Sequence, residues 1–446
     1  MCLGYDHTCK IKAFKQSYGL LPEKVDGKVS VDQEIKKENE EDPKVVEEAL
    51  RQLKRLEFGA VEITPQDEFF EMLKSSIKNN KPLRVKCGID PTSADIHLGH
   101  TVPFRKMRQF QDLGHIGVVI IGDYTAGIGD PTGKTESRPP LTREQIQQNV
   151  KSYMDQVMTV LDEERTEVCY QTEWFEEVTL RDIIGWASQT TVSKLLSHET
   201  FRDRLDQNQS LSLHELFYPM LQGIDSIYIK ADVELGGTDQ KFNVLMGRDY
   251  QRNAGLRPQV AMLLPIIHGT CGSQKMSKSL GNTIGIQDDP FDKFGKIMSI
   301  PDKVMLEYYE HVAGVDPQEF SVIKEGLESG SLHPNEGKKQ LAQKVVSFFH
   351  GHDTGKEMRE KFEAVFKRKQ VPDDIPEYKF ERGQDVVSVL FESGLLQSKG
   401  EVRRMVKQNA VRFVDGDKVD NPELALDDSF SGKVLKVGKR KFLQLV

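Results

Sequence analysis

The chain has 446 residues, enough for two or three domains that each bury a core of their own. Charged residues make up 29% of it and the formal net charge is −8, which excludes a protein that coats nucleic acid over its whole surface. No stretch approaches the run of about 18 apolar residues that a membrane-spanning helix needs. Five dispersed cysteines and the lack of an apolar signal segment predict a cytoplasmic protein with no membrane partner.

The chain begins with a charged stretch and continues into helices. Residues 1–43 have no clear hydrophobic period and end in a run of acidic and basic side chains, so we expect an N-terminal extension that is in part poorly ordered. Apolar side chains then recur at helical spacing over residues 45–56 and again over residues 69–77, which predicts two helices.

Strands and helices alternate in the next part of the chain. Hydrophobic runs predict a helix over residues 100–111 and strands over residues 85–89, 116–121, 168–170 and 260–267. This alternation predicts an α/β fold, in which a Rossmann-like, doubly wound parallel sheet lies within residues 44–287. Ligands of such sheets bind beyond the carboxyl ends of the strands.

The pattern becomes purely helical from about residue 288, which predicts a helical domain over residues 288–376 that ends in a proline-containing linker. A small α+β unit is expected over residues 382–446. Residues 398–407 of this unit read as a basic amphipathic helix, and its cationic side chains are candidates for RNA contacts: Lys399, Arg403, Arg404 and Lys407.

Two short motifs indicate phosphate chemistry. His97-Leu98-Gly99-His100 follows the predicted strand at 85–89 and begins a helix, so its two histidines share one face of the first turn, near N–H groups that bind phosphate oxygens. Gly99 has no side chain and lets a nucleotide approach the backbone. About 175 residues later, the pentapeptide 275–279 brings Lys275 and Lys278 within a glycine-flanked loop. Either motif alone also fits exposed surface residues, but together they are the signature pair of class I aminoacyl-tRNA synthetases.

A third pattern suggests the substrate. Tyr218, Gln222 and Asp225 are four and three residues apart, which places a phenol, an amide and a carboxylate on one face of a helix. A half-exposed helix carries such a face as readily as a polar pocket does.

Four segments together resemble the bacterial tyrosyl-tRNA synthetases: residues 87–92, 129–134, 235–240 and the lysine pentapeptide. The resemblance extends over about residues 45–446. It implies a tyrosine–tRNA ligase that forms tyrosyl adenylate from tyrosine and ATP and then charges tRNA(Tyr). It also implies a homodimer with a dimerisation segment inserted in the sheet domain, an anticodon-binding helical domain and a C-terminal RNA-binding domain of ribosomal-protein type.

The resemblance also implies roles for individual residues. Asp225 is expected to accept the substrate phenol hydroxyl, and the rest of the tyrosine site comprises Thr125, Asp130, Tyr218, Gln222 and Gln240. The residues implied for ATP binding are Gly88, Asp90, His97, Gly99, His100, Asp239 and Lys278. Catalysis of pyrophosphate departure is implied for His97, His100, Thr92, Lys275, Lys278, Lys134 and Arg138. Mg²⁺ is expected to come with ATP, held by its phosphates and not by protein ligands.

Two positions depart from the family pattern. Lys86 stands where many members have a tyrosine that also reaches the substrate hydroxyl, and Glu234 stands where glutamine is frequent. The open alternatives are a tryptophanyl enzyme, which is the nearest relative by fold, a small-molecule adenylyltransferase that shares the histidine motif, and a catalytically inactive RNA-binding relative.

Overall fold

The computed structural model describes residues 42–91, 96–132, 142–369, 375–414, 418–438 and 441–446. Almost all of the predicted N-terminal extension lies outside these residues, as do three predicted catalytic side chains, those of Thr92, Lys134 and Arg138. Within the described ranges, no helix is both long and apolar enough to cross a membrane.

A six-stranded sheet forms the centre of the first domain, with its strands in the order β1-β6-β5-β2-β3-β4. Its strands are β1 (Glu62–Thr64), β2 (Arg84–Ile89), β3 (Ile116–Ile121), β4 (Thr166–Tyr170), β5 (Val233–Gly237) and β6 (Val260–Leu264). Five strands run parallel, which confirms the α/β prediction. The short edge strand β1, which pairs antiparallel with β6, and the central strand β5 were missed by the sequence analysis.

Helices before, between and after these strands complete the sheet domain. They are Pro43–Glu57, Gln66–Lys78, Leu98–Gln111, Arg143–Val157, Thr172–Phe175, Leu180–Ala187, Val192–Leu195, Glu199–Asp206, Tyr218–Tyr228 and Lys241–Asn253. We call Leu98–Gln111 the histidine helix and Tyr218–Tyr228 the pocket helix. Five residues of the apolar strand β3 are buried, and side chains from β2, β3, β5 and β6 join the helices in one core. This packing explains why continuous apolar runs were readable as buried parallel strands.

The centre of the sheet opens into a crevice. Strand β2 stays paired with β3 as far as Ile89, and β5 stays paired with β6 as far as Gly237. Between β2 and β5, however, only two residue pairs are in register, and the last of them joins Lys86 to Glu234. The two strands therefore separate at the point where the strand order reverses, which is where ligands bind in doubly wound sheets.

The helical region contains Pro290–Ser299, Met305–His311, Pro317–Ser329, Pro334–His350 and His352–Lys369. Its core is continuous with the sheet domain, because Leu98, Met276 and Ile284 pack in the same cluster as Phe294 and Tyr308. Residue 288 therefore marks the change from strands to helices, and side chains from before it also pack in the helical core.

The C-terminal unit has its own sheet and its own core. Strands β7 (Glu377–Tyr378), β8 (Val411–Phe413), β9 (Val434–Val437) and β10 (Lys441–Leu445) lie in the order β7-β10-β9-β8. The helices Val386–Glu392 and Lys399–Lys407 cover this sheet and bury apolar side chains in a third cluster. Strand β7 extends the unit to five residues before the expected start at residue 382.

Candidate active site

Backbone pairing brings the two phosphate motifs together. The N–H of Leu98 donates to the carbonyl of Ile284 over 2.9 Å, and the N–H of Ile286 donates to the carbonyl of Ile96 over 3.0 Å. The segment that follows the lysine motif therefore lies beside the start of the histidine helix. This pairing places both motifs at the crevice, although they are far apart in the sequence.

The two histidines form a stacked pair at the start of the histidine helix. Their ring centroids are 3.7 Å apart, and the N–H of His97 donates to Nδ1 of His100 over 3.2 Å. A Cβ at Gly99 would lie 3.0 Å from the His97 ring, closer than ordinary van der Waals contact, so a larger residue there would crowd the stack. Burial lowers the pKa of His97 to about 3, helped by the charges of His100 and Lys278. His97 is therefore neutral at physiological pH and can donate one hydrogen bond to a phosphate oxygen.

Asn282 is a buried residue within residues 268–282, here called the lysine loop, and its side chain bonds to the loop backbone. Asn282 accepts from the N–H of Ser277 over 2.8 Å and donates to the carbonyl of Lys275 over 3.0 Å. The backbones of His268 and Lys275 pair across the loop. Lys275 and Lys278 are both exposed in this loop. No spacing pattern in the sequence predicts these contacts of Asn282.

Asp225 lies at the buried side of the pocket helix and accepts two hydrogen bonds. Gln171 Nε2 donates to Oδ2 over 2.9 Å, and Trp174 Nε1 donates to Oδ1 over 3.1 Å. Only 2% of Asp225 is exposed. Burial raises the pKa of its carboxyl group to about 7, although the charge of Lys86 and the two hydrogen bonds oppose this rise. A carboxylate has room for about four donors, so Asp225 keeps acceptor sites for a ligand.

A second group of side chains surrounds the hydroxyl of Tyr218. This hydroxyl donates to Asp90 Oδ2 over 2.9 Å, and the Thr125 hydroxyl lies 2.8 Å from Asp90 Oδ1. Burial raises the pKa of Tyr218, and the negative charges of Asp90, Asp130 and Asp225 raise it further. Three carboxylates therefore act on one phenol, an arrangement that favours a ligand with a positive charge.

Thr125 is tied to the Asp225 group as well. Its hydroxyl lies 2.9 Å from Gln171 Oε1, and its N–H donates to the same oxygen over 2.9 Å. Thr125 is buried, and its hydroxyl and its N–H both contact protein atoms in this structure. Thr125 therefore connects Asp90 to Gln171, which in turn donates to Asp225.

Asp130 and Gln240 meet on the other side of the crevice. Gln240 Nε2 donates to Asp130 Oδ2 over 2.8 Å, and Asn243 Nδ2 donates to Gln240 Oε1 over 2.9 Å. Desolvation raises the pKa of Asp239, the charge of Asp130 raises it further, and the charge of Lys275 lowers it. Gly88 lies at the rim, and no atom within 4 Å occupies the space a side chain would take.

The two departures from the family pattern contact each other. Lys86 Nζ lies 2.9 Å from Glu234 Oε1, and the pair is buried beneath the pocket helix. Gln222 Nε2 donates to Glu234 Oε1 over 3.1 Å. The side-chain amide nitrogen of Gln222 is therefore turned towards Glu234. Its side-chain amide oxygen, Oε1, is the group that could accept a hydrogen bond from a ligand.

The structure therefore gathers most of the predicted site residues around one crevice. Gln171 and Trp174, which bind Asp225 directly, were missed because they come from a part of the chain with no recognised motif. Gln171 does follow the predicted strand at 168–170, and the carboxyl ends of such strands are where site residues are expected. Within the described ranges, no group of three or more His, Cys, Asp or Glu side chains could hold a metal ion.

The predicted RNA-binding residues lie apart, on the C-terminal unit. The helix Lys399–Lys407 buries Val402 and Val406 against the third core. Its four predicted RNA contacts are all exposed: Lys399, Arg403, Arg404 and Lys407. This helix therefore presents a cationic face to solvent and an apolar face to its sheet.

Two family models match consecutive parts of the chain. Residues 78–367 match the family of class I tRNA synthetases for tryptophan and tyrosine, and residues 367–445 match the C-terminal domain of tyrosine–tRNA ligases. The tyrosine–tRNA ligase of Moorella thermoacetica is 46% identical over 90% of this chain and 97% of its own length. The Carboxydothermus hydrogenoformans enzyme is 45% identical over 90% of this chain and 99% of its own length.

Solved structures support the fold. The tyrosyl-tRNA synthetase of Archaeoglobus fulgidus, solved with L-tyrosine, superposes with a TM-score of 0.57 at 22% identity and covers 70% of this chain and 99% of its own. A mitochondrial tyrosyl-tRNA synthetase from Aspergillus nidulans gives a TM-score of 0.60 at 18% identity, with 72% and 98% of the two chains covered. The curated relatives favour tyrosine over tryptophan, and the matched C-terminal domain does not fit a small-molecule adenylyltransferase.

Proposed function

We propose a role for each residue of the crevice in this chain, which belongs to the tyrosine–tRNA ligases of class I. In the reaction of this family the carboxylate of tyrosine attacks the α-phosphorus of ATP and pyrophosphate leaves. A terminal ribose hydroxyl of tRNA then attacks the tyrosyl adenylate, and AMP leaves. Neither step needs a nucleophile from the protein, so catalysis depends on positioning and on the stabilisation of charge.

The hydrogen bonding of Asp225 carries the assignment of the tyrosine site. Its buried carboxylate accepts from Gln171 and Trp174 and keeps acceptor sites for the phenol hydroxyl of tyrosine. We assign the substrate ammonium group to the opposite end, where Asp90 and Asp130 supply negative charge and the oxygens of Tyr218 and Gln222 can accept hydrogen bonds. Gln240 holds Asp130, and Thr125 holds Asp90, so we assign both a positioning role.

The ATP site follows from the meeting of the two motifs. We assign the adenosine to the open rim at Gly88 and to the start of the histidine helix at Gly99 and His100, with Asp239 at the ribose. His97, as a neutral donor, and the exposed lysines of the lysine loop then face the phosphates. Thr92, Lys134 and Arg138 stay predictions, since they lie outside the described residues. Mg²⁺ would enter as the counter-ion of ATP, because it prefers phosphate and water oxygens; the magnesium requirement of pyrophosphate exchange tests this.

The pKa of Asp225 predicts how tyrosine binding depends on pH. A carboxyl group with a pKa of about 7 is mostly ionised at pH 8 and mostly protonated at pH 6, and only the ionised form is a full acceptor for the phenol. We therefore expect the Kd for tyrosine, measured by equilibrium dialysis, to rise about tenfold between pH 8 and pH 6. Asp225→Asn should bind tyrosine weakly and with no such dependence. A wild-type Kd that stays constant over this range would contradict the assignment.

We propose a homodimer built on the segment between β4 and the pocket helix. This segment exposes five large apolar side chains, which a monomer would leave in water: Leu180, Ile184, Val192, Leu205 and Leu213. Sedimentation equilibrium measures the oligomeric state directly.

The cationic face of the helix Lys399–Lys407 is proposed to bind tRNA(Tyr). The cytoplasm is the proposed compartment, which fractionation of cells would test.

A further inference from the structure

We propose that the buried Lys86–Glu234 ion pair is a positioning device for the tyrosine substrate. The inference rests on the proposed function, and it assigns a role to two residues that do not touch the substrate in that proposal. Lys86 and Glu234 are the last residues in register between β2 and β5, next to the point where these strands separate. Their side chains are 0% and 1% exposed, so both charges have been removed from water.

Lys86 ties together the chain segments that carry the tyrosine site. Its ammonium donates to the carbonyl of Gln222 and to the hydroxyl of Ser226, both over 2.8 Å, and lies 2.9 Å from Glu234 Oε1. These three contacts use all three protons of the ammonium group. Because Lys86 is in β2 and Glu234 is in β5, one cation joins both strands to the pocket helix.

Glu234 performs the complementary task of orienting amide and hydroxyl groups. Besides Lys86, it accepts from Gln222 Nε2 over 3.1 Å, from Ser226 over 3.2 Å and from Gln259 Nε2. A carboxylate can only accept, so the amide nitrogen of Gln222 must face it and the amide oxygen must face away. A glutamine at residue 234, by contrast, would permit either orientation of the Gln222 amide.

Such an arrangement costs desolvation of two charges, which apolar side chains of similar size would avoid. Stability alone is therefore a weak reason for this pair. A role in positioning explains its location, because Tyr218, Gln222 and Asp225 all project from the helix that the pair anchors. The pair should consequently affect tyrosine binding more strongly than ATP binding.

The test uses Lys86→Met, Glu234→Gln and the double variant, each assayed by pyrophosphate exchange and by thermal unfolding. Glu234→Gln should raise the KM for tyrosine about tenfold, which corresponds to one lost hydrogen bond, while the KM for ATP stays within about twofold. Lys86→Met should lower the Tm, since it leaves a buried carboxylate unpaired. The double variant has no unpaired charge, so it should recover Tm and yet keep a tyrosine KM at least about fivefold above wild type.

Lys106→Met is the matched control. Lys106 is also a buried lysine, but its ammonium donates to the carbonyls of Leu56 and Phe58, away from the pocket helix. This variant should lower the Tm and leave the KM for tyrosine unchanged. The proposal is overturned if the double variant recovers both Tm and a wild-type tyrosine KM, or if the KM values for tyrosine and ATP rise together in every variant. Failure of the proposed function is distinct, because the wild-type chain would then show no tyrosine-dependent exchange.

Discussion

Asp225→Ala is expected to lower kcat/KM for tyrosine about 1,000-fold in pyrophosphate exchange. The substitution removes a charged acceptor from the phenol hydroxyl and leaves the donors of Gln171 and Trp174 without a partner inside the protein. Each of these losses costs about 1–3 kcal/mol, and three powers of ten correspond to about 4 kcal/mol. The KM for ATP should change little, because the phosphate motifs lie elsewhere in the crevice.

Two further variants separate recognition of the phenol from damage to the fold. Asp225→Asn keeps the size of the side chain and should show a smaller loss, about 100-fold, since a neutral amide accepts more weakly than a carboxylate. Asp353→Ala removes an exposed aspartate of the helical region and should leave exchange unchanged. Preference for tyrosine over phenylalanine should fall in both Asp225 variants. An unchanged preference would show that another residue recognises the hydroxyl.

Removal of residues 370–446 is expected to abolish tRNA charging and to spare adenylate formation. The C-terminal unit has a core of its own, so its removal takes away no member of the first two clusters. Pyrophosphate exchange should therefore stay within about twofold of the full chain, whereas kcat/KM for tRNA should fall at least about 100-fold with the loss of phosphate contacts. Aminoacylation with labelled tyrosine measures the second quantity.

A full-length variant provides the control for this deletion. Substitution of Lys399, Arg403, Arg404 and Lys407 by alanine removes four exposed charges and leaves the buried face of their helix intact. We expect weaker tRNA binding. The slope of log K against the logarithm of the salt concentration should decrease in magnitude by about 3–4. Equal loss of exchange and charging in the truncated chain, or no change in the four-residue variant, would refute the RNA-binding assignment.

The features that were predictable from the sequence are those that depend on local spacing. Helical periodicity predicted the shared face of Tyr218, Gln222 and Asp225, and the apolar runs predicted four strands of the sheet. Strand β5 was missed because it ends in two glycines and contains Glu234, a charged residue of a type that is rarely buried. Its burial is possible only because Lys86, from a distant part of the sequence, pairs with it.

Contacts between distant segments could not be predicted in the same way. Gln171 and Trp174 reach Asp225 from the end of β4, and only the order of the strands brings them there. Lys86 and Glu234 were each recognised as departures from the family pattern, but their pairing depends on the register between β2 and β5. Asn282 holds the lysine loop through contacts that no spacing rule contains.

The most direct test of this account is the amino-acid dependence of pyrophosphate exchange by the wild-type chain. Labelled pyrophosphate should enter ATP when tyrosine is present, and phenylalanine and tryptophan should each support it at a kcat/KM at least about 1,000-fold lower, since neither presents a phenol hydroxyl to Asp225. Exchange supported by tryptophan and not by tyrosine would contradict the account.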